Sequence, residues 1–229
     1  MTTDEQAYIQ ALALGLDPAW RRRSDAERHD DGCRFLEAAS AAEIDGVRTI
    51  PYSSVGLEPG VDLLFWRMAP SVDALETSAA GLLRAGLGRW LTVSHSLIGR
   101  IGASQYVRKP TDQEQSLFSG ERSRYLVVYP FTKSTDWYLL SKEARQGIMN
   151  EHMRVGHEYP TIRQALAYSF GLDSQDFVVA YETDDLVAFG DLVRALRSTD
   201  SRRSTVSDSP ILLGIHRPLN EILSLLGAG

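Results

Sequence analysis

The pattern that decides the fold occurs twice in the chain, in VDLLFWRMAPSVDALETSAAGLLRAGLGRWLTVSHSLIGR (residues 61–100) and in QDFVVAYETDDLVAFGDLVRALRSTDSRRSTVSDSPILLGI (residues 175–215). In both copies a strand leads through a polar turn to an amphipathic helix, a polar stretch and a closing strand. A shift of 114 residues pairs Asp62 with Asp176 and Leu82 with Leu196. The repeat predicts an α+β fold of two duplicated ferredoxin-like halves, of the dimeric α+β barrel type, each with helices on one face of an antiparallel sheet.

A polar segment separates the two predicted halves. Residues 101–124 include RKPTDQEQSLFSGERSR, which is punctuated by Pro and Gly and is typical of a connector. The first half is therefore predicted to cover residues 1–124 and the second half residues 125–229. The first forty-odd residues are expected to form a helical and irregular lead-in, with Asp25 as the N-cap of a helix.

The composition excludes several classes of protein. The chain has 229 residues, of which 43% are hydrophobic and 24% charged, as in ordinary globular domains. Its net charge of −6 argues against a general nucleic-acid binder. The single cysteine, Cys33, excludes an internal disulfide and any multi-cysteine metal site. No apolar run is long enough for a transmembrane segment and the N-terminus lacks a secretory signal, so a cytoplasmic location is expected.

The strand YLVVYPFTK (residues 125–133) brings two polar side chains to one face. The period of two places Tyr129 and Lys133 on the same side, about 13 Å apart. That distance is too long for a direct pair, but it suits a phenol and an ammonium that contact different parts of one large ligand. The pattern is also typical of an interfacial tyrosine with a snorkelling lysine. Pro130 predicts an edge, a bulge or a strand end close by.

The next helix carries a histidine on its apolar face. Ser141 is the predicted N-cap and Pro160 closes the segment. His152 shares a face with Ile148 and Val155, which is typical of a core histidine. A neutral imidazole on a rigid helix can also serve as an axial ligand of haem iron. The other histidines match no zinc spacing: His29, His95, His157 and His216.

The segments YPFTKSTDWYLL, EARQGIMNEH, SFGLDSQDFVVAYETDDL and SPILLG resemble the chlorite dismutase-like family, and most closely its branch of coproheme decarboxylases. The resemblance is strong from Tyr125 to Ile215. It is weaker in the first half, where SSVGLEPGVDLLFWR and GASQYVRKP carry it. It implies a duplicated ferredoxin-like protein that assembles as a homopentamer and binds a porphyrin in its second half.

The resemblance also implies the roles of individual residues. His152 corresponds to the proximal iron ligand, Tyr129 to the tyrosine that becomes a radical during turnover, and Lys133 to the lysine that holds a propionate. Arg202 lies near the position of a serine that anchors a propionate in relatives, and its guanidinium can grip a carboxylate by forked contacts. The implied substrate is iron coproporphyrin III, the oxidant hydrogen peroxide and the product haem b. A transient contact with a ferrochelatase is implied as well.

Two positions depart from the family pattern. Chlorite-decomposing relatives carry a distal arginine thirteen residues after the proximal histidine, where this chain has Ala165, with Arg163 and Gln164 as neighbours. A methyl group cannot steer an anionic oxidant, so chlorite dismutation is disfavoured. One group of decarboxylases carries a distal histidine seventeen residues before the tyrosine, where this chain has Asp112.

The sequence therefore predicts a peroxide-dependent haem synthase, an oxidoreductase of haem biosynthesis that decarboxylates two propionates. The alternative is a haem-binding paralogue, acting as a carrier, a sensor or a low-activity peroxidase. Retention of both Tyr129 and Lys133 argues against a carrier, which needs neither residue. A cofactor-free α+β barrel protein, with His152 merely in the core, is a further alternative and predicts no porphyrin binding.

Overall fold

A computed structural model describes residues 8–44, 46–102, 106 and 121–229. The chain divides into two compact units, the first formed by residues 1–101 with 213–229 and the second by residues 102–212. The sequence-based division at residue 124 assigned residues 213–229 to the second half. Here this C-terminal segment packs with the first unit.

The first unit has the strand and helix order of a ferredoxin-like half. Its elements are β1 (Tyr8–Leu16), α1 (Asp25–Ile44), β2 (Arg48–Glu58), β3 (Val61–Ala69), α2 (Val72–Arg84) and β4 (Leu91–Arg100). The strands pair antiparallel in the order β4-β1-β3-β2. A further strand, β9 (Leu212–His216), pairs with β2 through Tyr52 and Ser53.

The second unit repeats this order. Its elements are β5 (Tyr125–Lys133), α3 (Thr135–Leu139), α4 (Lys142–Gly156), β6 (Arg163–Tyr168), β7 (Phe177–Thr183), α5 (Leu186–Arg197) and β8 (Thr205–Ser207). The strands pair antiparallel in the order β8-β5-β7-β6. The short α3 is the main addition to the βαββαβ plan. The prediction of duplicated ferredoxin-like halves is confirmed.

The duplication extends to single side chains. Helices α2 and α5 begin at Val72 and Leu186, which keeps the offset of 114 residues seen in the sequence. The Asp62 carboxylate accepts a hydrogen bond from the Leu16 N–H at 2.8 Å, and the Asp176 carboxylate accepts one from the Lys133 N–H at 2.7 Å. The repeated aspartates therefore fix the end of the first strand in each half.

The start of the chain differs from its prediction. Residues 8–16 form β1, which lies between β4 and β3 in the middle of its sheet. YIQALALGL is rich in good helix formers, but a central strand covered on both faces is an almost continuous apolar run and lacks the alternation that marks a half-exposed strand. The predicted N-cap Asp25 is also wrong by one residue. Ser24 and Glu27 form the reciprocal capping bonds, and Asp25 is the first residue of α1.

A C-terminal helix explains why the last residues belong to the first unit. The helix, α6 (Leu219–Leu225), buries Ile222 and Leu223 in the core that also contains Phe35. The indole Nε1 of Trp20 donates a hydrogen bond of 2.8 Å to the carbonyl of Leu226. Among the described residues, no helix combines the length and the apolar character needed to cross a membrane.

Candidate functional site

The predicted site residues all lie in the second unit. Tyr129 and Lys133 are on β5, and His152 is in the last turns of α4. Arg202 follows α5 in a short 3-10 helix, Asp200–Ser204. Strand β8 pairs with β5 at Thr132 and Lys133, with an irregularity between them, so Pro130 stands just before a disturbed part of the strand, as predicted.

Lys133 is a buried cation whose hydrogen bonds go to neutral oxygens. Its Nζ donates to the Ser201 carbonyl at 2.9 Å, to Ser201 Oγ at 3.0 Å and to Thr205 Oγ1 at 3.3 Å. The ammonium also lies 4.7 Å from the centre of the Trp137 ring. Burial, and secondarily the charge of Arg202, lower the pKa of Lys133 to about 8. Among the described residues no carboxylate forms an ion pair with it, so this position favours the binding of an anion.

Arg202 belongs to a second group of charges beside Lys133. Its Nη1 donates a hydrogen bond of 2.6 Å to Oδ2 of Asp208, and Nη2 of Arg197 lies 3.7 Å from the same oxygen. We refer to Lys133, Arg197 and Arg202 as the cationic cluster. Neither Asp208 nor Arg197 was singled out from the sequence, because no motif marks the pairing of residues that meet only after the chain folds back.

Tyr129 lies in the apolar layer between the sheet and α5. Its ring stacks on Tyr181 with 6.1 Å between ring centres and 27° between ring planes, and Val179 and Leu192 belong to the same layer. Burial, followed by the interaction with Tyr181, raises the pKa of Tyr129 far above its ordinary value. Asp208 raises this pKa further and Arg197 opposes it, so both charges act on the phenol. The phenol stays protonated, and its oxidation must therefore remove a proton together with an electron.

His152 presents a neutral imidazole with an unpaired nitrogen. Its Nδ1 is buried and has no hydrogen-bond partner in the described part of the chain. Burial, and then the charge of Lys133, lower the pKa of His152 to about 4, while Glu151 acts in the opposite direction. The imidazole is therefore neutral at physiological pH, which is the state that binds metal ions.

The helix that carries His152 is tied to the segment that carries Arg202. The carboxylate of Glu151 accepts a hydrogen bond of 3.0 Å from the backbone N–H of Asp200. Asp200 begins the 3-10 helix that supplies both Ser201 and Arg202. This charge-assisted contact joins α4 to the segment that carries Ser201 and Arg202.

These residues fit an iron porphyrin. None of the 15 residues of α4 is fully buried, although one face of the helix is apolar, so this face is free to cover a flat apolar ligand. In the described residues no three His, Cys, Asp or Glu side chains could hold a metal ion together. A lone imidazole binds iron well when a macrocycle supplies the remaining nitrogen ligands. The cationic cluster suits the carboxylates of such a macrocycle.

A small cavity near the end of β5 is not the porphyrin site. Its volume is about 110 Å³, which is below the 300–1,000 Å³ or so that drug-sized ligands and cofactors need. Its lining is mostly polar and comprises Pro130, Phe131, Thr132, Ser174, Gln175, Ser207 and Ser209.

The strand register changes the interpretation of Ala165. Ala165 pairs with Ala180, which pairs with Val128, whereas Leu166 pairs with Val179, which pairs with Tyr129. Ala165 therefore faces away from Tyr129, and the prediction that it occupies the distal side is wrong. A shift of one residue along a strand moves a side chain to the opposite face. The other proposed distal position, Asp112, lies outside the described residues.

The lowered pKa of His152 predicts a pH-dependent stability. Between the ordinary pKa of 6.5 and the folded value of about 4, the unfolded chain binds more protons than the folded one. The free energy of unfolding should therefore fall by up to about 3 kcal/mol as the pH drops through this range, because each unit of pKa difference corresponds to about 1.4 kcal/mol. Urea unfolding of the wild type and His152→Phe at several pH values measures the difference. The exposed His157→Phe is the control. Equal pH slopes for the wild type and His152→Phe would contradict the prediction.

Comparison with known proteins gives one family. The family model described as chlorite dismutase matches residues 26–217. The coproheme decarboxylase of Mycolicibacterium smegmatis is 29% identical over 225 residues, which cover 96% of this chain and 94% of the relative. The chlorite dismutase of Ideonella dechloratans is 27% identical over 150 residues, which cover 62% of this chain and 53% of the relative.

Solved structures agree with the fold. The chlorite dismutase of Candidatus Nitrospira defluvii in complex with imidazole has a TM-score of 0.88 to this chain at 28% identity, covering 96% of this chain and 95% of that chain. A substituted variant of the same enzyme has a TM-score of 0.89, again at 28% identity, covering 98% and 97%. The likeness therefore extends over both ferredoxin-like halves.

Proposed function

The chain belongs to the chlorite dismutase family, and on that premise we propose that it is a haem-dependent oxidoreductase that converts iron coproporphyrin III to haem b with hydrogen peroxide. The observation that carries this proposal is a protonated phenol, Tyr129, in the same unit as three cations whose charge Asp208 balances only in part among the described residues. Tyr129 can react with a propionate, and Lys133 and Arg202 can hold that propionate's carboxylate. Similarity to a coproheme decarboxylase over 96% of the chain supports the same assignment.

Each propionate is oxidised by two electrons. The change from –CH2–CH2–COO⁻ to –CH=CH2 releases carbon dioxide, one proton and two electrons, and one hydrogen peroxide that takes up two protons and those electrons becomes two waters. The iron porphyrin supplies the oxidising power when it is bound. His152 would hold its iron. Tyr129 would lose its hydroxyl hydrogen and then take a hydrogen atom from the propionate, so that the phenol is restored.

Lys133 and Arg202 would orient the propionate for this step. A carboxylate bound at Lys133 favours the charged ammonium and would raise its pKa above the present value of about 8. The resulting charge-assisted hydrogen bonds fix the carboxylate while the carbon next to the porphyrin ring reacts. Holding the propionate in a productive position relative to Tyr129 lowers the barrier, because the reacting groups no longer have to find each other by diffusion.

Strand β6 supports decarboxylation over chlorite dismutation. Its side chains on the Tyr129 face are Gln164, Leu166 and Tyr168, according to the register with β7. Arg163 lies on the opposite face, where it pairs with the buried Glu182 at 2.9 Å. This strand therefore offers no cation on the side where the porphyrin would bind, and a small anionic oxidant would lack a positive partner there.

Mass spectrometry tests the proposal directly. Purified protein is loaded with iron coproporphyrin III, hydrogen peroxide is titrated in, and the porphyrin products are identified. Two successive losses of carbon dioxide plus two hydrogens, ending at haem b, are expected. Tight binding followed only by bleaching would point to the haem-binding paralogue without decarboxylase turnover. The homopentamer, the cytoplasmic location and the ferrochelatase contact stay predictions, and light scattering of the loaded protein measures the first of these.

A further inference from the structure

Asp208 stands out because one carboxylate contacts two cations, with Lys133 as a third cation nearby. Its Oδ2 accepts from Arg202 at 2.6 Å and lies 3.7 Å from Arg197, while Lys133 beside them donates to neutral oxygens. Within the described residues, the cationic cluster therefore carries more positive charge than Asp208 can balance. The proposed function does not use Asp208, yet this side chain occupies the guanidinium groups that a ligand carboxylate needs.

The ion pairs of Asp208 are of a kind that breaks easily. The side chains of Arg202 and Asp208 are 39% and 27% exposed, and that of Arg197 is 54% exposed. Exposed ion pairs contribute only about 0–1 kcal/mol, because water competes for both partners. Asp208 also lies in residues 208–211, between β8 and β9, which form neither helix nor strand. Both arginines contact the same oxygen, so one movement of this side chain frees both.

We propose that Asp208 is a resident carboxylate that occupies Arg202 and Arg197 until a porphyrin carboxylate takes its place. The inference rests on the proposed function, because it assigns these arginines to a propionate of the substrate. An incoming carboxylate forms the same charge-assisted contacts that Asp208 gives up, so the exchange leaves no arginine unpaired.

The exchange makes Asp208 a specificity-determining residue. A substrate propionate carries the charge that competes with Asp208 for the arginines. Once that propionate has become a vinyl group, it can no longer hold them, and Asp208 returns. The arginines are thereby assigned to a propionate that reacts. Asp208 and Arg197 both affect the pKa of the Tyr129 phenol, so they lie close enough to act on the group that would react with this propionate. The site therefore favours porphyrins with more carboxylates and releases those with fewer.

Two metal-free porphyrins test the exchange without iron or turnover. Coproporphyrin III has four carboxylates, whereas protoporphyrin IX has two carboxylates and two vinyl groups, and quenching of their fluorescence gives Kd. In Asp208→Asn the shape is kept and the competing charge is lost, so Kd for coproporphyrin III should fall about threefold, as expected for loss of an exposed ion pair. Kd for protoporphyrin IX should stay nearly unchanged.

The matched control is Asp191→Asn. Asp191 also pairs with an arginine, Arg194, at 3.1 Å on the exposed side of α5, and the variant changes the net charge equally. It should alter neither Kd. The gain from Asp208→Asn should also shrink when Arg202→Ala is present, because the two residues act through one contact.

Several outcomes would overturn the exchange. Poorer coproporphyrin III binding by Asp208→Asn would mean that Asp208 holds Arg202 in place for the ligand. An equal fall in Kd for both porphyrins, or the same fall in Asp191→Asn, would mean that the effect comes from the change in net charge and not from Asp208 itself. If the metal-free porphyrins show the expected Kd values but iron coproporphyrin III is not decarboxylated with peroxide, only the proposed function is contradicted. No porphyrin binding by the wild type contradicts both.

Discussion

Substitution of His152 by Ala should lower the rate of peroxide-driven decarboxylation by about a hundredfold or more. Loss of an outer partner of a metal ligand already costs about 10–100-fold in affinity or activity, and loss of the ligand itself removes more. The fold should survive, because the buried Nδ1 forms no hydrogen bond with the described residues and Ala favours a helix. Electron paramagnetic resonance of the loaded protein, combined with product analysis, measures both ligation and turnover.

The control for His152→Ala is His157→Ala, five residues further along, where the side chain is exposed. It should bind iron coproporphyrin III and react as the wild type does. Added imidazole should partly restore the His152→Ala variant, because it can occupy the space left by the side chain. Wild-type spectra and turnover in His152→Ala would show that another group binds the iron.

Replacement of Tyr129 by Phe should separate binding from reaction. The variant keeps the ring that stacks on Tyr181 and loses only the hydroxyl, so Kd for coproporphyrin III should change less than about threefold. Decarboxylation should fall by about a hundredfold or more, which corresponds to about 2.7 kcal/mol of barrier, because the hydrogen that the phenol would exchange is gone. Loss of the hydrogen bond between the Tyr129 and Tyr181 hydroxyls should lower the free energy of unfolding by about 1 kcal/mol. Fluorescence quenching, rapid-quench mass spectrometry and urea unfolding measure these quantities.

Tyr125→Phe is the matched control, since Tyr125 lies on the same face of β5 and contacts Arg124 instead of the apolar layer around Tyr129. It should decarboxylate as the wild type does. Full activity in Tyr129→Phe would remove the reactive role from this residue. Loss of activity in Tyr181→Phe with retention in Tyr129→Phe would transfer that role to the stacked partner.

Local signals in the sequence predicted much of the fold. The two copies of strand, turn and helix were visible because each element carries its own apolar period and its own polar turn. The predicted N-cap Ser141 accepts from the Ala144 N–H at 3.2 Å, as a residue of this type does at a helix start. The roles of Tyr129, Lys133, His152 and Arg202 came from a family resemblance, and they stay predictions.

Other features depend on contacts that no local pattern encodes. Strand β1 is made of helix formers, and its burial in the centre of a sheet overrides their propensity. Asp208 and Tyr181 reach the site only through folding of distant segments onto β5. Ala165 was misassigned because counting residues from His152 does not give the strand register, and one residue decides the face.

The equivalent aspartates, Asp62 and Asp176, allow the two halves to be compared position by position. Register relative to these residues makes Leu12 and Leu16 the counterparts of Tyr129 and Lys133. Both leucines are buried in the apolar core of their half, where their burial stabilises the fold and leaves no polar group without a partner. Burial of a phenol, an ammonium and an unpaired imidazole works against stability in the other half. The second half therefore carries polar side chains whose burial lowers the free energy of unfolding, whereas the equivalent positions of the first half carry apolar residues that raise it.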